Sequence, residues 1–154
     1  MREILFRGMR LEKSVWDEEP WVYGSLIDSG NHEQVAIYPW LNGASSMSVR
    51  QLVYNRMVGV DYRTVGQYTG LTDKNGKRIF EGDIVECWSE GVCARGTVQQ
   101  RKDGLWIIYP SWQKHIMWSL CPDDLSHTTV EIIGNIHDNP ELVEVTGNDN
   151  RTMS

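Results

Sequence analysis

The sequence predicts a mostly-β protein with a minor helical part. Its expected form is a small SH3-like barrel or a strongly bent antiparallel sheet, with an N-terminal β extension and one short helix. Three observations carry this. Short apolar runs recur at close spacing, with Gly, Asn and Asp clusters between them. Two of those gaps hold strong hairpin signals, Asn75-Gly76 and Asp103-Gly104. Around residue 84 the pattern turns to strict alternation, with Ile84, Glu86 and Trp88 interleaved with Val85 and Cys87.

Taken in order, residues 2–6 (REILF) form an expected first strand, and the polar stretch 8–20 around Trp16 a loop or hairpin arm. Residues 21–27 (WVYGSLI) read as a second strand, 28–31 as a turn cluster, and 35–38 as a third strand stopped by Pro39. The small and polar stretch 41–48 reads as a loop. Residues 48–57 carry Val49, Leu52 and Val53 at helical spacing behind a Ser48 cap, so a helix is expected there, with a strand in an extended insertion as the alternative. The centre of the chain is 64–88, a hairpin turning at Asp73-Lys74-Asn75-Gly76 and a corner at Glu81-Gly82-Asp83. Strands are expected at 92–99, 105–109 and 129–133, and a strand or single helical turn at 112–120. Residues 122–125 read as a turn or the start of a short helix. Residues 135–142 close the fold, with Pro140 at the first position of a final helical turn. The whole reads as one domain over 1–145, with N-terminal strands in 1–62 and the central and C-terminal barrel in 63–145. The hydrophilic stretch 146–154 is expected to be a disordered tail.

Composition narrows the class. The chain has 154 residues, is 40% hydrophobic and carries a net charge of -6. An acidic total argues against non-specific binding to phosphate backbones, which needs clustered Lys and Arg. Seven Trp and six Tyr stand against two Phe. Trp and Tyr carry a polar handle, which places some of them at edges, grooves or interfaces. Three cysteines without a CxxC pair, no secretory apolar region and no membrane-spanning run lead to the expectation of a cytoplasmic protein.

Several stretches resemble the YopX family of phage and prophage proteins. They are REILFRGM, Trp21-Val22-Tyr23-Gly24, VGQYTGLTDKNGKRIFEGDIVE, Glu131-Ile132-Ile133-Gly134-Asn135-Ile136 and Asn139-Pro140-Glu141-Leu142. The resemblance spans 2–142 and departs in the long segment 31–61. It implies a small, mostly-β, intracellular protein encoded by a phage or prophage. It supplies no catalytic residues.

No catalytic set appears in the residues themselves. His32, His115, His127 and His137 show no ligand spacing, so no metal or cofactor is expected. Cys87 and Cys93 straddle a loop and read as buried free thiols. Asp73, Glu81 and Asp83 flank turn glycines, where the turn role outweighs acid/base work. Residues 66–70 lack the Lys and Ser/Thr of a phosphate loop. The patch Trp106, Tyr109, Trp112, Lys114 and Trp118 is the candidate partner-binding surface, since aromatics gather at interfaces. The expected function is a non-enzymatic, protein-binding or self-assembling module, as a homo-oligomer or with a host or phage protein. The alternative is a nucleic-acid-binding SH3-like module using Arg95, Arg101, Lys102, Lys114 and Trp112. More remote is an enzyme working through carboxylates near Asp83.

Overall fold

The computed structural model describes residues 3–13, 19–40, 46–89, 92–109 and 118–142. Its strands are β1 (Phe6–Met9), β2 (Trp21–Asp28), β3 (Val35–Pro39), β4 (Val58–Gly59), β5 (Gly66–Thr72), β6 (Arg78–Phe80), β7 (Asp83–Ser89), β8 (Val92–Gln100), β9 (Trp106–Ile108), β10 (Trp118–Ser119) and β11 (Glu131–Asn135). One helix, α1 (Val49–Arg56), and a 3-10 turn at Tyr62–Thr64 complete the described elements. The mostly-β class holds, and every strand-to-strand ladder is antiparallel. The chain divides into two compact units, 1–67 and 68–154.

In the first unit β1 pairs with β2 on one side and with Gly66 and Gln67 of β5 on the other. β2 pairs with β3, and β3 with β4. The sheet bends far enough for the chain beyond β4 to return to the end of β1. The Leu11 N–H donates to the Gly59 carbonyl at 3.1 Å, the Asp61 N–H donates to that of Met9 at 2.8 Å, and Arg10 bridges to Val60. Val22, Val35, Ile37 and Val60 fill the inside of the bend, with Phe6, Leu26, Val58 and Val65 against them. The ladder of β1 runs past the expected 2–6 because Gly8 belongs to it. A Cβ on Gly8 would lie 3.1 Å from Val60 and 3.3 Å from Ile37, so a residue that reads as a breaker is what admits those side chains.

The expected helix forms. Ser48 is its N-cap, accepting from the Gln51 N–H at 3.3 Å, while the Ser48 N–H donates to Gln51 Oε1 at 3.2 Å. Two orphan donors are satisfied reciprocally. No side chain of α1 is buried.

The second unit holds a sheet in the order β10-β9-β8-β7-β11 and the β5–β6 hairpin. Ile79, Val85, Val98, Trp106, Ile108, Leu120 and Val130 form its core. β10 and β11 are its outer strands, so among the described residues no closed SH3-like barrel forms, and the bent open sheet is the form taken. The hairpin turns at the Asn75-Gly76 signal, with Gly76 at φ +81°. Gly82 takes the corner at φ +90°, and Asp83 Oδ2 accepts the Phe80 N–H at 2.8 Å. Residues 129 and 130, expected in the last strand, lie in a stretch that meets the hairpin instead. The Thr128 N–H donates to the Thr72 carbonyl and the Lys74 N–H to that of Val130, both at 2.8 Å. β11 therefore starts at Glu131. The helical turn after it does open at Pro140.

Asp73 joins these pieces. Its side chain is almost fully buried, at 1% exposure. Oδ1 accepts from the N–H groups of Asn75 and Lys77, each at 2.9 Å, and Oδ2 from Ile132 at 3.2 Å. Truncation strands three partly buried donors, at up to about 1–3 kcal/mol each. Asp73→Ala is expected to lower the unfolding free energy by about 3 kcal/mol or more. Asp73→Asn, which keeps one acceptor oxygen, should lose less. Chemical denaturation of both variants checks the order.

Candidate functional site

Strand alternation separates two faces of the β2–β3 ladder. Val22, Val35 and Ile37 point to the core. Tyr23, Ser25 and Ile27 on β2, with Ala36 and Tyr38 on β3, point the other way. The register pairs Ser25 with Tyr38 and Gly24 with Pro39, and continued by one residue it sets Trp40 across from Tyr23. None of these six outward residues is charged, although 23% of the chain is. A solvated sheet face normally carries the polar half of the alternation. Here Tyr23 and Trp40 are 44% and 43% exposed. The Trp40 ring is held in place, because its indole N–H donates to Ser25 Oγ at 2.8 Å. The cation nearest in register, Arg7, is buried with its guanidinium 4.7 Å from the centre of the Trp21 ring. The result is an uncharged aromatic platform on a rigid two-strand base.

Gly24 is what lets the two strands meet there. A Cβ at this position would stand 1.9 Å from the Tyr38 carbonyl oxygen and 2.9 Å from the Pro39 Cα. Both obstacles are backbone, so nothing can swing aside.

The residues named from sequence fall elsewhere. Trp106 is in the core of the second unit, and Trp118 is packed against that core. The indole N–H groups of both are buried without an acceptor. Tyr109 is 40% exposed. Trp112 and Lys114 lie outside the described residues, as do His115 and the expected tail 146–154. The structure thus brings Trp106 and Trp118 together across β9 and β10, but in a core. Sequence reasoning places 21–27 in a strand without separating its two faces, and so does not single out this platform. The signal was present: the outward set has aromatics and no charge.

Two cations of the nucleic-acid alternative, Arg95 and Arg101, are tied to carboxylates. Arg95 Nε donates to Glu86 Oε1 at 3.0 Å across β8 and β7, and Arg101 grips Asp103 through two nitrogens. Asp73 spends both oxygens, and Asp83 its Oδ2, on backbone N–H groups. His32, at φ +64°, pairs with Asp28 Oδ2 at 2.6 Å and stacks on Tyr62 with ring centres 4.4 Å apart. The N–H of Gly30, and then His32, hold the Asp28 carboxyl below its usual range. His127 stands 3.7 Å from Asp123. Among the described residues, no group of three His, Cys, Asp or Glu side chains is placed to hold a metal. Cys87 and Cys93 are free, one across from Ala94 and the other across from Trp88. Burial pushes both thiols up, which keeps them protonated and poorly nucleophilic at neutral pH. Among the described residues no helix is long and apolar enough to cross a membrane.

Two open antiparallel sheets, one capped helix and an aromatic sheet face define a mostly-β protein in which Asp73 and Asp83 hold turns. It belongs to the YopX family: the family model described as YopX protein matches residues 15–144. No curated protein matches the chain.

Gly24→Ala is expected to force β2 and β3 apart and to shift the Trp40 indole N–H resonance, with a stability loss of about 1–3 kcal/mol for the overpacked site. NMR and thermal unfolding of the variant check both effects. A second expectation concerns pH. Arg101, with the Leu105 N–H, lowers the Asp103 carboxyl from 3.8 to about 2. Its folded value lies below its unfolded one, so its contribution is present above the usual carboxylate range and fades as pH falls toward 2. A carboxyl-carbon NMR titration should place the Asp103 midpoint well below those of the unpaired carboxylates, and Arg101→Gln should return it to the usual range.

Proposed function

We propose that this chain is a non-enzymatic protein-binding module, a phage or prophage accessory protein that works inside the bacterial host cell. The observation that carries the reading is the uncharged aromatic face of β2 and β3. Apolar surface of this kind, left in water on a rigid base, is the mark of a contact site. The turn roles of Asp73 and Asp83 support a non-enzymatic reading, since both oxygens of Asp73 and the Oδ2 of Asp83 accept from backbone N–H groups. The pairing of Arg95 and Arg101 with carboxylates supports a protein partner over nucleic acid, because cations already neutralised release few counterions from a phosphate chain.

The partner is a host or phage protein, or a second copy of the chain. Light scattering over a range of concentrations, with affinity capture from host cells, is the test. A partner or self-association retained by the wild-type chain and lost in Tyr23→Ala and Trp40→Ala is the expected result. Association untouched by either variant, or a salt-sensitive gel shift with single- or double-stranded nucleic acid, would overturn the reading.

A further inference from the structure

We infer that the groove between residues 10–13 and 57–59 takes an acidic segment of a partner protein that carries a large apolar side chain. The contact uses none of the six outward residues of β2 and β3, so it stands or falls apart from that face.

The place is set by two stretches of chain. Residues 10–13 follow β1, and 57–59 run from the C-cap of α1 into β4. The Leu11 N–H donates to the Gly59 carbonyl, which ties the stretches together. Between them lies a cavity of about 460 Å³, lined by Arg10, Leu11, Lys13, Met57, Val58 and Gly59, with Glu12 beside them. Sites for small ligands run to roughly 300–1,000 Å³, so the space suits one or two side chains of a segment.

The lining names the occupant through two properties. The first is exposed apolar surface. Leu11 and Met57 are 64% and 48% exposed. Gly59 has no side chain to cover them, and a Cβ on it would stand 3.6 Å from Leu11 Cδ1, in ordinary contact. Apolar groups left in water around a concave place fit an apolar side chain, and an unbranched Met adapts to its shape. The second property is charge. Residues 10–13 and 49–59 hold Arg10, Lys13, Arg50 and Arg56 against Glu12 alone, an excess of three positive charges in a chain of net charge -6. Among the described residues, no carboxylate forms an ion pair with Lys13, Arg50 or Arg56. Arg56 also sits in the last turn of α1, where it offsets the partial negative charge of the helix end at Met57. The local charge is thus the reverse of the chain's own, which draws an acidic segment and repels a basic one. The lining holds no aromatic ring on which a base could stack, which favours a protein segment over single-stranded nucleic acid.

The test is an NMR titration of the full chain with a blocked decapeptide, Asp-Glu-Asp-Glu-Leu-Phe-Glu-Asp-Glu-Asp. One control peptide replaces Leu-Phe by Gly-Ser, and a second replaces every acidic residue by Lys. Saturable shifts at the backbone amides of 10–13 and 57–59 are expected with the first peptide alone, and rising salt should weaken them, since the charges are exposed. Lys13→Glu and Arg56→Glu should each raise the Kd about threefold or more. Gly59→Val, whose added side chain occupies the groove, should abolish the shifts. Gly59→Ala replaces it if the valine variant loses the dispersed spectrum of a folded chain, and should weaken binding in the same direction. No shift at low-millimolar peptide, equal shifts with either control, or shifts confined to other residues would each overturn the inference. So would a folded Gly59→Val chain that binds as the wild type does, or equal shifts of the same amides by single-stranded oligothymidine.

Discussion

The second unit depends on one buried carboxylate. Asp73 closes its own hairpin with one oxygen and reaches Ile132, 59 residues away, with the other. A negative group inside a protein is tolerated only when its lone pairs are filled, and here backbone N–H groups fill them. The neighbouring bonds from Thr128 to Thr72 and from Lys74 to Val130 run along the same seam. The last strand is thereby attached to the hairpin before its own ladder with β7 begins. A second anchor stands at the other end of β11. The Ile136 N–H donates to the Gly82 carbonyl, and Asn139 packs against Gly134 so closely that a Cβ there would meet its Oδ1 at 2.4 Å. Acidic residues and glycines that resemble an active-site loop on paper are thus structural parts of a bent sheet.

The first unit solves a different problem. Its sheet bends around four aliphatic side chains, and the bend is permitted by glycines at points of contact, Gly8 beneath Val60 and Gly24 beneath the Tyr38 carbonyl. The outward side of that bend is where aromatic rings collect. The core and the exposed aromatics therefore lie on opposite sides of one ladder, β2 with β3, and the same alternation that buries Val22 and Ile37 presents Tyr23.

What was legible in the sequence was local. Asn75-Gly76, Asp103-Gly104 and the Ser48 cap each act within a few residues, and each formed as read. The bent-sheet class followed from the spacing of such signals. What was not legible depends on partners far along the chain. Gly8 sits in the ladder where Val60 and Ile37 leave no room for a Cβ, and β11 begins late where the Val130 carbonyl is taken by the Lys74 N–H. The tryptophans illustrate the same limit. Their polar handle gave a reason to seek them on the surface, yet the large ring area of Trp106 goes to the core even though its N–H finds no acceptor there. Burial of a ring outweighs one lost hydrogen bond of about 1–3 kcal/mol.

The helix α1 has a consequence for how such a chain changes over time. With no side chain in the core, it is held by its capping box and a few surface contacts. Eight residues are too few for a helix to be stable in water on propensity alone. The bent sheet beneath it takes its cohesion from Val22, Val35, Ile37 and Val60, none of which belongs to the helix. Sequence at 49–56 is therefore under weak packing constraint. It can be exchanged, lengthened or recoloured in charge while the fold stays in place, which makes it the natural site of divergence between relatives that share the same frame.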